Sequence, residues 1–574
     1  MKPTEEQEAI VRAGGRVIRI NARAGTGKTT TLRMLANEHS DKNILYLVFN
    51  RKARDEAQSK FPQNVKVKTI HSLAWGYVGK DFEKIGDFGP KDLLPYFKSS
   101  GSAQVLSKIA HDFLVFFLNS PFERIEDAVD AFEKLLPEQV KEPFKRHLPQ
   151  MIGYMRTLAT QWNRQDRPCP HDFYLKMFHK TGKFDQALSR YDMVLVDEAQ
   201  DLSGVMLDAL KKCQKRVVLV GDSHQQIYGF RYAMDAMRNL TCDEDYELTL
   251  SFRFGKTIAG LARHLIREAK GENGFKIVGN PQKTSDLTVA EFAPRRNSAV
   301  LSRTNLALFA NAMALRAKKT SFRFERDIEK VLWQTLDVYW LAEGEKSKIR
   351  SEWIQSFDNF EALEEYAENC SDFQLRGVSQ VVRRYSGSFP EVIFDMAGIN
   401  KAENGDSNAV ILSTIHASKG QEYENVHIDS DVADMLDSAE KLEPAQYDEE
   451  INIAYVGFTR AIKHLSISKS FERILTPIWQ NFLKGHRPQP RYPERIRGNA
   501  LPYSAKKTSK MLLPPGKKAK TARQSPKEGD RVKTPHGFGL VLANENGKCL
   551  VKLENQVASI WEHPSSLKPC RDDD

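Results

Sequence analysis

The sequence predicts an α/β fold: two parallel-sheet domains, each interrupted by a helical insertion, followed by a small all-β barrel. Three observations predict it. Short apolar runs rich in β-branched residues alternate with helical or loop stretches, as buried strands of doubly wound sheets do. The runs fall into two groups, from about Arg16 to Leu250 and from about Ala299 to Ser468. The composition then changes sharply after about Gly498.

The first group contains RVIRI, ILYLVFN, VKVKTI, MVLVDE and RVVLVGD, and the second AVLSRT, AVILSTI, NVHID and HLSIS. Between them lie stretches with helical spacing. Leu106, Ile109, Ala110, Phe113, Phe116 and Phe117 form one apolar stripe, and Ile328, Val331, Leu332, Leu336 and Tyr339 another. The expected division is 1–80 with 186–255 as the first domain and 256–321 with 396–498 as the second. Helical insertions are expected at 81–185 and 322–395, a basic linker at 499–527 and the barrel at 528–570. The barrel segment, GDRVKTPHGFGLVLANENGKCLVKLENQVASIW, has short runs broken by Gly, Asn and Pro.

The chain has 574 residues, 41% hydrophobic and 28% charged, which excludes disorder as its main state. No long uncharged apolar run is present and the N-terminus is acidic, so no membrane association and a cytoplasmic location are expected, nucleoid-associated if bacterial. The six cysteines form no C-x-x-C pair and are expected as reduced thiols. The net charge is +10, yet Leu501 to Lys527 holds eight basic residues and no acidic one, so the rest of the chain carries only +2. Nucleic-acid binding by the folded body must therefore be argued from motifs.

The strongest motif is NARAGTGKTT, Asn21 to Thr30, between a predicted strand and helix. Small residues at Ala24, Gly25, Thr26 and Gly27 let backbone N–H groups turn toward phosphate oxygens. Lys28 can reach the β/γ-phosphates, Thr29 can ligate Mg²⁺, and Thr30 continues the loop. Ala22 stands where this pattern has its first glycine, which alanine can replace at negative φ. The run MVLV ends in Asp197-Glu198, at the edge where open parallel sheets bind ligands. Asp197 is expected to hold Mg²⁺ and Glu198 to deprotonate the attacking water, which makes the reaction hydrolysis. After RVVLVGD, Gln225 can contact the γ-phosphate or the water, and Tyr228, Phe230 and Arg231 offer stacking faces and a charge for bases.

Together with TIHSLAWGYVG, VGDSHQQIYGFR and LTLSFRFG, these blocks resemble the Rep/UvrD-like superfamily 1 helicases, and within them the helicase core of the F-box DNA helicases, over about residues 1 to 490. The resemblance implies two RecA-like domains with ATP and Mg²⁺ in the cleft between them. It implies that Gln7 reads adenine, Phe252 stacks on it, Glu422 meets the ribose or an adjacent nucleotide group, and Arg253 and Arg460 meet the γ-phosphate. Phe49, Asn50, Thr69, His71, Ser72, Thr414 and His416 are implied contacts to single-stranded DNA, and Gly420 a turn. The tail resembles the small Tudor- or SH3-like barrel of some UvrD-type helicases, a docking site for a protein or nucleic acid. The phosphate loop starts near residue 21, so no F-box is expected before it and no ubiquitin-ligase role is implied.

The expected activity is an ATP-driven helicase or translocase on single-stranded DNA and duplex junctions, moving 3′ to 5′ by resemblance, in repair or recombination, with a monomer favoured. Two rivals stand beside it: a translocase that strips proteins from DNA without processive unwinding, and a nucleotide-gated recruitment module.

Overall fold

The computed structural model describes residues 2–98, 102–229, 232–290, 298–385, 389–401, 409–437, 442–471, 474, 531–534, 537–545, 548–553, 559–562 and 568–569. The chain divides into two compact units, Met1–Tyr503 and Ser504–Asp574.

The first unit is built on two six-stranded, wholly parallel sheets. Strands β1 (Val17–Ala22), β2 (Ile44–Val48), β3 (Val65–Thr69), β4 (Met193–Val196), β5 (Arg216–Gly221) and β6 (Glu244–Leu248) form the first, in the order β3-β2-β4-β5-β1-β6. Strands β7 (Asp286–Val289), β8 (Ser298–Ser302), β9 (Phe322–Phe324), β10 (Val410–Thr414), β11 (Tyr423–Ile428) and β12 (Ala461–Ile467) form the second, in the order β7-β12-β11-β8-β10-β9.

Alternation explains why the central strands read as unbroken apolar runs. Val17, Leu45, Leu47, Val194, Val196, Val217 and Leu219 point into a core shared with the first helical insertion. Their neighbours Ile18, Ile20, Ile44, Tyr46, Leu195, Val218 and Val220 point into a separate core on the opposite face. The first insertion lies between β3 and β4; its helix Ala103–Asn119 buries Leu106, Ile109, Ala110 and Phe113, with Phe116 and Phe117 packed at the margin. The second lies between β9 and β10, where Leu332 and Leu336 of helix Glu329–Ala342 are buried.

The short strand β9 lies inside the stretch expected to be helical and pairs with β10. Strands β6 and β7 were likewise absent from the expected set, and all three are edge strands. A third core joins the two sheets: Ala24, Ile227 and Tyr228 from loops of the first pack with Ile451, Tyr455 and Phe458 on helix Pro444–Phe458 of the second.

In the second unit, β13 (Arg531–Thr534), β14 (Gly537–Glu545), β15 (Lys548–Leu553), β16 (Ser559–Glu562) and β17 (Lys568–Pro569) pair antiparallel in the order β16-β15-β14-β13-β17. The basic stretch 501–527 lies outside the described residues. Cys169, Cys213, Cys242 and Cys370 are free thiols. Among the described residues no helix is long and apolar enough to cross a membrane.

Candidate active site

The glycine-rich loop follows β1, and Ala22, fully buried as the last residue of that strand, is not among the residues with positive φ. Gly25 (φ 73°) and Gly27 (φ 81°) are. A Cβ on Gly25 would lie 2.6 Å from Arg253 Cβ, so both conformation and space demand glycine there. Gly27 caps helix Lys28–Glu38 without a side-chain acceptor, leaving the first-turn N–H groups facing the loop.

Gln7, Phe252 and Gly27 converge: a Cβ on Gly27 would be 3.4 Å from Gln7 Nε2 and 3.5 Å from the Phe252 ring. Gln7 is fixed in a capping box with Thr4 and donates to Thr31 Oγ1 at 3.1 Å. Thr31 in turn donates to Gly27 O, a connection that sequence reading did not find.

Lys28 Nζ donates to Glu198 Oε1 at 2.7 Å. Burial opposes the charge on Lys28, but Glu198 and Asp197 raise its pKa. Burial likewise opposes ionisation of Glu198, yet Lys28 and Lys419 hold it down to about 2, so it is a carboxylate able to take a proton. Glu198 sits at φ 49°, left-handed for a non-glycine residue, a strain that fits a functional site. Burial and Glu198 raise the pKa of Asp197, which accepts from Tyr46 at 2.7 Å. Thr29, Tyr46 and Asp197 line one cavity.

Arg253 and Arg460 reach the same region from the two sheets. Arg253 donates to Glu422 at 2.6 Å and to Thr459 O at 2.7 Å, while its buried Nε makes no hydrogen bond. Arg460 is 2% exposed; burial and the neighbouring Arg253 bring its pKa down to about 9, and Glu198 and Glu422 lie within electrostatic reach. Its guanidinium donates to the main-chain oxygens of Val456 and Gln421, at 3.0 and 3.2 Å.

Gln225 is 4% exposed; its amide donates to Asp222 Oδ2 at 2.9 Å and its main-chain oxygen accepts from Lys419 at 2.7 Å. Lys419 also pairs with Asp201, whose pKa burial pushes up to about 6 against that pairing. Asp222 accepts from Tyr455 at 3.0 Å and lies 3.6 Å from Arg23. Lys419, Asp201, Asp222, Tyr455 and Arg23 carry roles that sequence reading missed, because their partners lie far along the chain. Asp222 ends the conspicuous run RVVLVGD, which could have flagged it.

Of the expected nucleic-acid residues, Phe49, Tyr228 and His416 come together. Phe49 stacks on Tyr228 at 5.7 Å, and Tyr228 lies 6.2 Å from His416. Asn50, Thr69 and Thr414 each cap a helix, accepting from Ala53, Ser72 and Ala417, so their side chains first serve the fold. His71 lies 3.5 Å from Asp172. Phe230 and Arg231 lie outside the described residues.

A nucleotide and its divalent cation fit this donor set. The glycine cradle, the capless helix start, Lys28 and the unpartnered Arg253 Nε suit a polyphosphate. Among the described residues no group of three His, Cys, Asp or Glu side chains could hold a metal ion alone. Thr29 and Asp197 would instead share Mg²⁺ with phosphate oxygens, its common mode of binding.

A family model described as the UvrD/REP helicase N-terminal domain matches residues 3–245, and one described as the UvrD-like helicase C-terminal domain matches residues 311–472. F-box DNA helicase 1 of Gallus gallus is 28% identical over 522 residues, 84% of this chain and 51% of its own length. F-box DNA helicase protein 1 of Schizosaccharomyces pombe is 29% identical over 524 residues, 82% of this chain and 58% of its own. The ATP-dependent DNA helicase PcrA of Staphylococcus epidermidis is 25% identical over 301 residues, 46% of this chain and 40% of its own. The chain thus spans about half the length of the first two relatives.

Proposed function

The chain belongs to the UvrD/Rep family of helicases, and from that premise we propose that it is an ATP-driven motor that walks 3′ to 5′ on single-stranded DNA, in repair or recombination. One observation carries the reading: Arg253, just after the last strand of the first sheet, donates to Glu422 at 2.6 Å and to Thr459 O at 2.7 Å on the second lobe, so the proposed phosphate site draws on both lobes.

In this proposal the first-turn N–H groups and Lys28 bind the phosphates, and Gln7 and Phe252 hold the base. Glu198, ionised, accepts a proton from the attacking water. Arg253 and Arg460 neutralise the charge that spreads over the γ-phosphoryl oxygens, an effect equivalent to about 10³- to 10⁵-fold in rate. Mg²⁺, when bound through Thr29 and Asp197, would neutralise phosphate charge. Phe49, Tyr228 and His416, drawn from both lobes, grip bases by stacking, which tolerates any sequence. The C-terminal module, closing as a small barrel, docks a further partner.

The test is the ATPase rate with single-stranded DNA, duplex DNA, RNA or no nucleic acid. Single-stranded DNA should stimulate it most, and no stimulation by any of them would remove the motor reading. Partial duplexes with a 3′ or a 5′ tail then test polarity, and a protein-displacement assay alongside separates unwinding from stripping.

A further inference from the structure

A second aromatic group adjoins the one just described. Trp75 lies on helix Ile70–Val78, one turn after His71 and on the same face. It is 43% exposed, as much as Phe49. Its ring is nonetheless held. A Cβ on Gly79 would lie 2.6, 2.7 and 2.9 Å from Trp75 Cδ2, Cε2 and Cγ, near-equal distances that put one indole face flat on Gly79. Gly79 has φ −61°, so glycine is required there for space and not for conformation.

The first insertion supplies the wall. Tyr174, on helix His171–Lys180, meets Trp75 edge-on at 5.5 Å and His71 at 6.0 Å. His171 lies 5.9 Å from His71 and hydrogen-bonds the Tyr174 hydroxyl at 2.9 Å. Arg51, two residues after Phe49, is exposed and lies within electrostatic reach of His171 and Tyr174.

We propose that Trp75 is the floor of a further base-stacking subsite on the single-strand track, beyond Phe49, with the exposed His171 as its wall, the buried Tyr174 bracing both rings from behind, and Arg51 as its phosphate contact. The proposal rests on the single-strand reading above. A half-exposed indole backed on one face by glycine has little to gain from solvent. Its pre-set orientation removes the rotamer cost of stacking a base. Arg51, near the wall, supplies the charge that a passing phosphate needs. The subsite makes the helical insertion part of the track and lengthens the segment of strand held at once.

The test uses the full chain and labelled oligo(dT) of increasing length. W75A should weaken binding of the longer oligomers roughly 5- to 100-fold, the range that loss of one stacked base implies, with an unchanged slope of log affinity against log salt. R51A should lower that slope by about 0.7. W75F should keep most of the affinity, and G79A, which pushes the indole off its seat, should fall toward W75A. Intrinsic fluorescence gives a second measurement that does not depend on W75A folding: oligo(dT) should quench tryptophan emission by a smaller fraction in W75F than in the native chain. Equal affinities for W75A and the native chain across the length series, or equal fractional quenching in W75F, would overturn the subsite while leaving the motor reading intact. Absence of oligo(dT) binding by the native chain would overturn both.

Discussion

Tyr455, on the second lobe's helix Pro444–Phe458, donates its hydroxyl to Asp222 Oδ2 at 3.0 Å and accepts from the phosphate-loop amide of Ala24 at 3.4 Å. One fully buried oxygen thus ties the second lobe to two points at strand ends of the first. Asp222 stays ionised well below the usual carboxylate range: burial opposes this, and His224 and Arg23 prevail. Y455F keeps the ring in the core but leaves the Ala24 N–H without its acceptor. It should lower the free energy of unfolding by about 1–3 kcal/mol, read as a lower urea midpoint at unchanged m-value. A midpoint equal to that of the native chain would mean the hydroxyl does not join the lobes.

Glu198 offers the cleanest catalytic test, because glutamine keeps its shape and removes its charge and basicity. E198Q should lower ATP turnover by about 10²- to 10⁴-fold and leave binding to single-stranded DNA close to that of the native chain. K28A should lose turnover with the same retention, since the Phe49–Tyr228 stack does not involve Lys28. Native turnover in E198Q would remove Glu198 from the role of base.

Legibility in the sequence followed burial and chain distance. Strands β1, β2, β4 and β5 are covered on both faces and read as plain apolar runs. The edges β6 (EDYEL), β7 (DLTV) and β9 (FRF) are short or charged and carry no such signal. The glycine-rich loop after β1 and Asp197-Glu198 after β4 stood out as candidates because each is a local pattern at a strand end. Tyr455 and Lys419 were not: their partners Asp222 and Gln225 lie 233 and 194 residues away, and no local pattern encodes the pairing. Asn50, Thr69 and Thr414 carried a readable capping signal, a short polar residue between a strand and a helix.

Lys176 provides a pH test of the first insertion. Only 1% exposed, it donates to the main-chain oxygens of Ser120 and Phe122, both at 2.6 Å, and lies 4.5 Å from the centre of the Phe117 ring. Burial, with Lys180 adding to it, pushes its pKa from 10.5 down to about 7. For a base held lower in the folded state, the unfolded chain binds more protons between the two values, so stability rises with pH from about 7 toward 10.5. K176M removes that contribution. The unfolding free energy of the native chain relative to K176M should therefore grow between pH 7 and pH 9, by at most about 1.4 kcal/mol per pH unit. Urea titrations at the two pH values measure it, and a gap that stays constant would show that Lys176 remains charged in the fold.

The stretch 501–527 holds eight basic residues and no acidic ones, while the rest of the chain carries only +2. If these cations meet phosphate, each contact releases condensed counterions, and the slope of log affinity against log salt on single strands steepens by about 0.7 per contact. Deleting 501–527 should therefore flatten the slope by up to about 6, and by less if only some of these cations engage. Stacking at Phe49 and Tyr228 carries no such charge term and should remain. Affinity at high salt should then differ little between the two chains, while affinity at low salt should fall steeply in the deletion. An unchanged slope would reject any phosphate contact by this stretch and leave the tether to the C-terminal module as its remaining role.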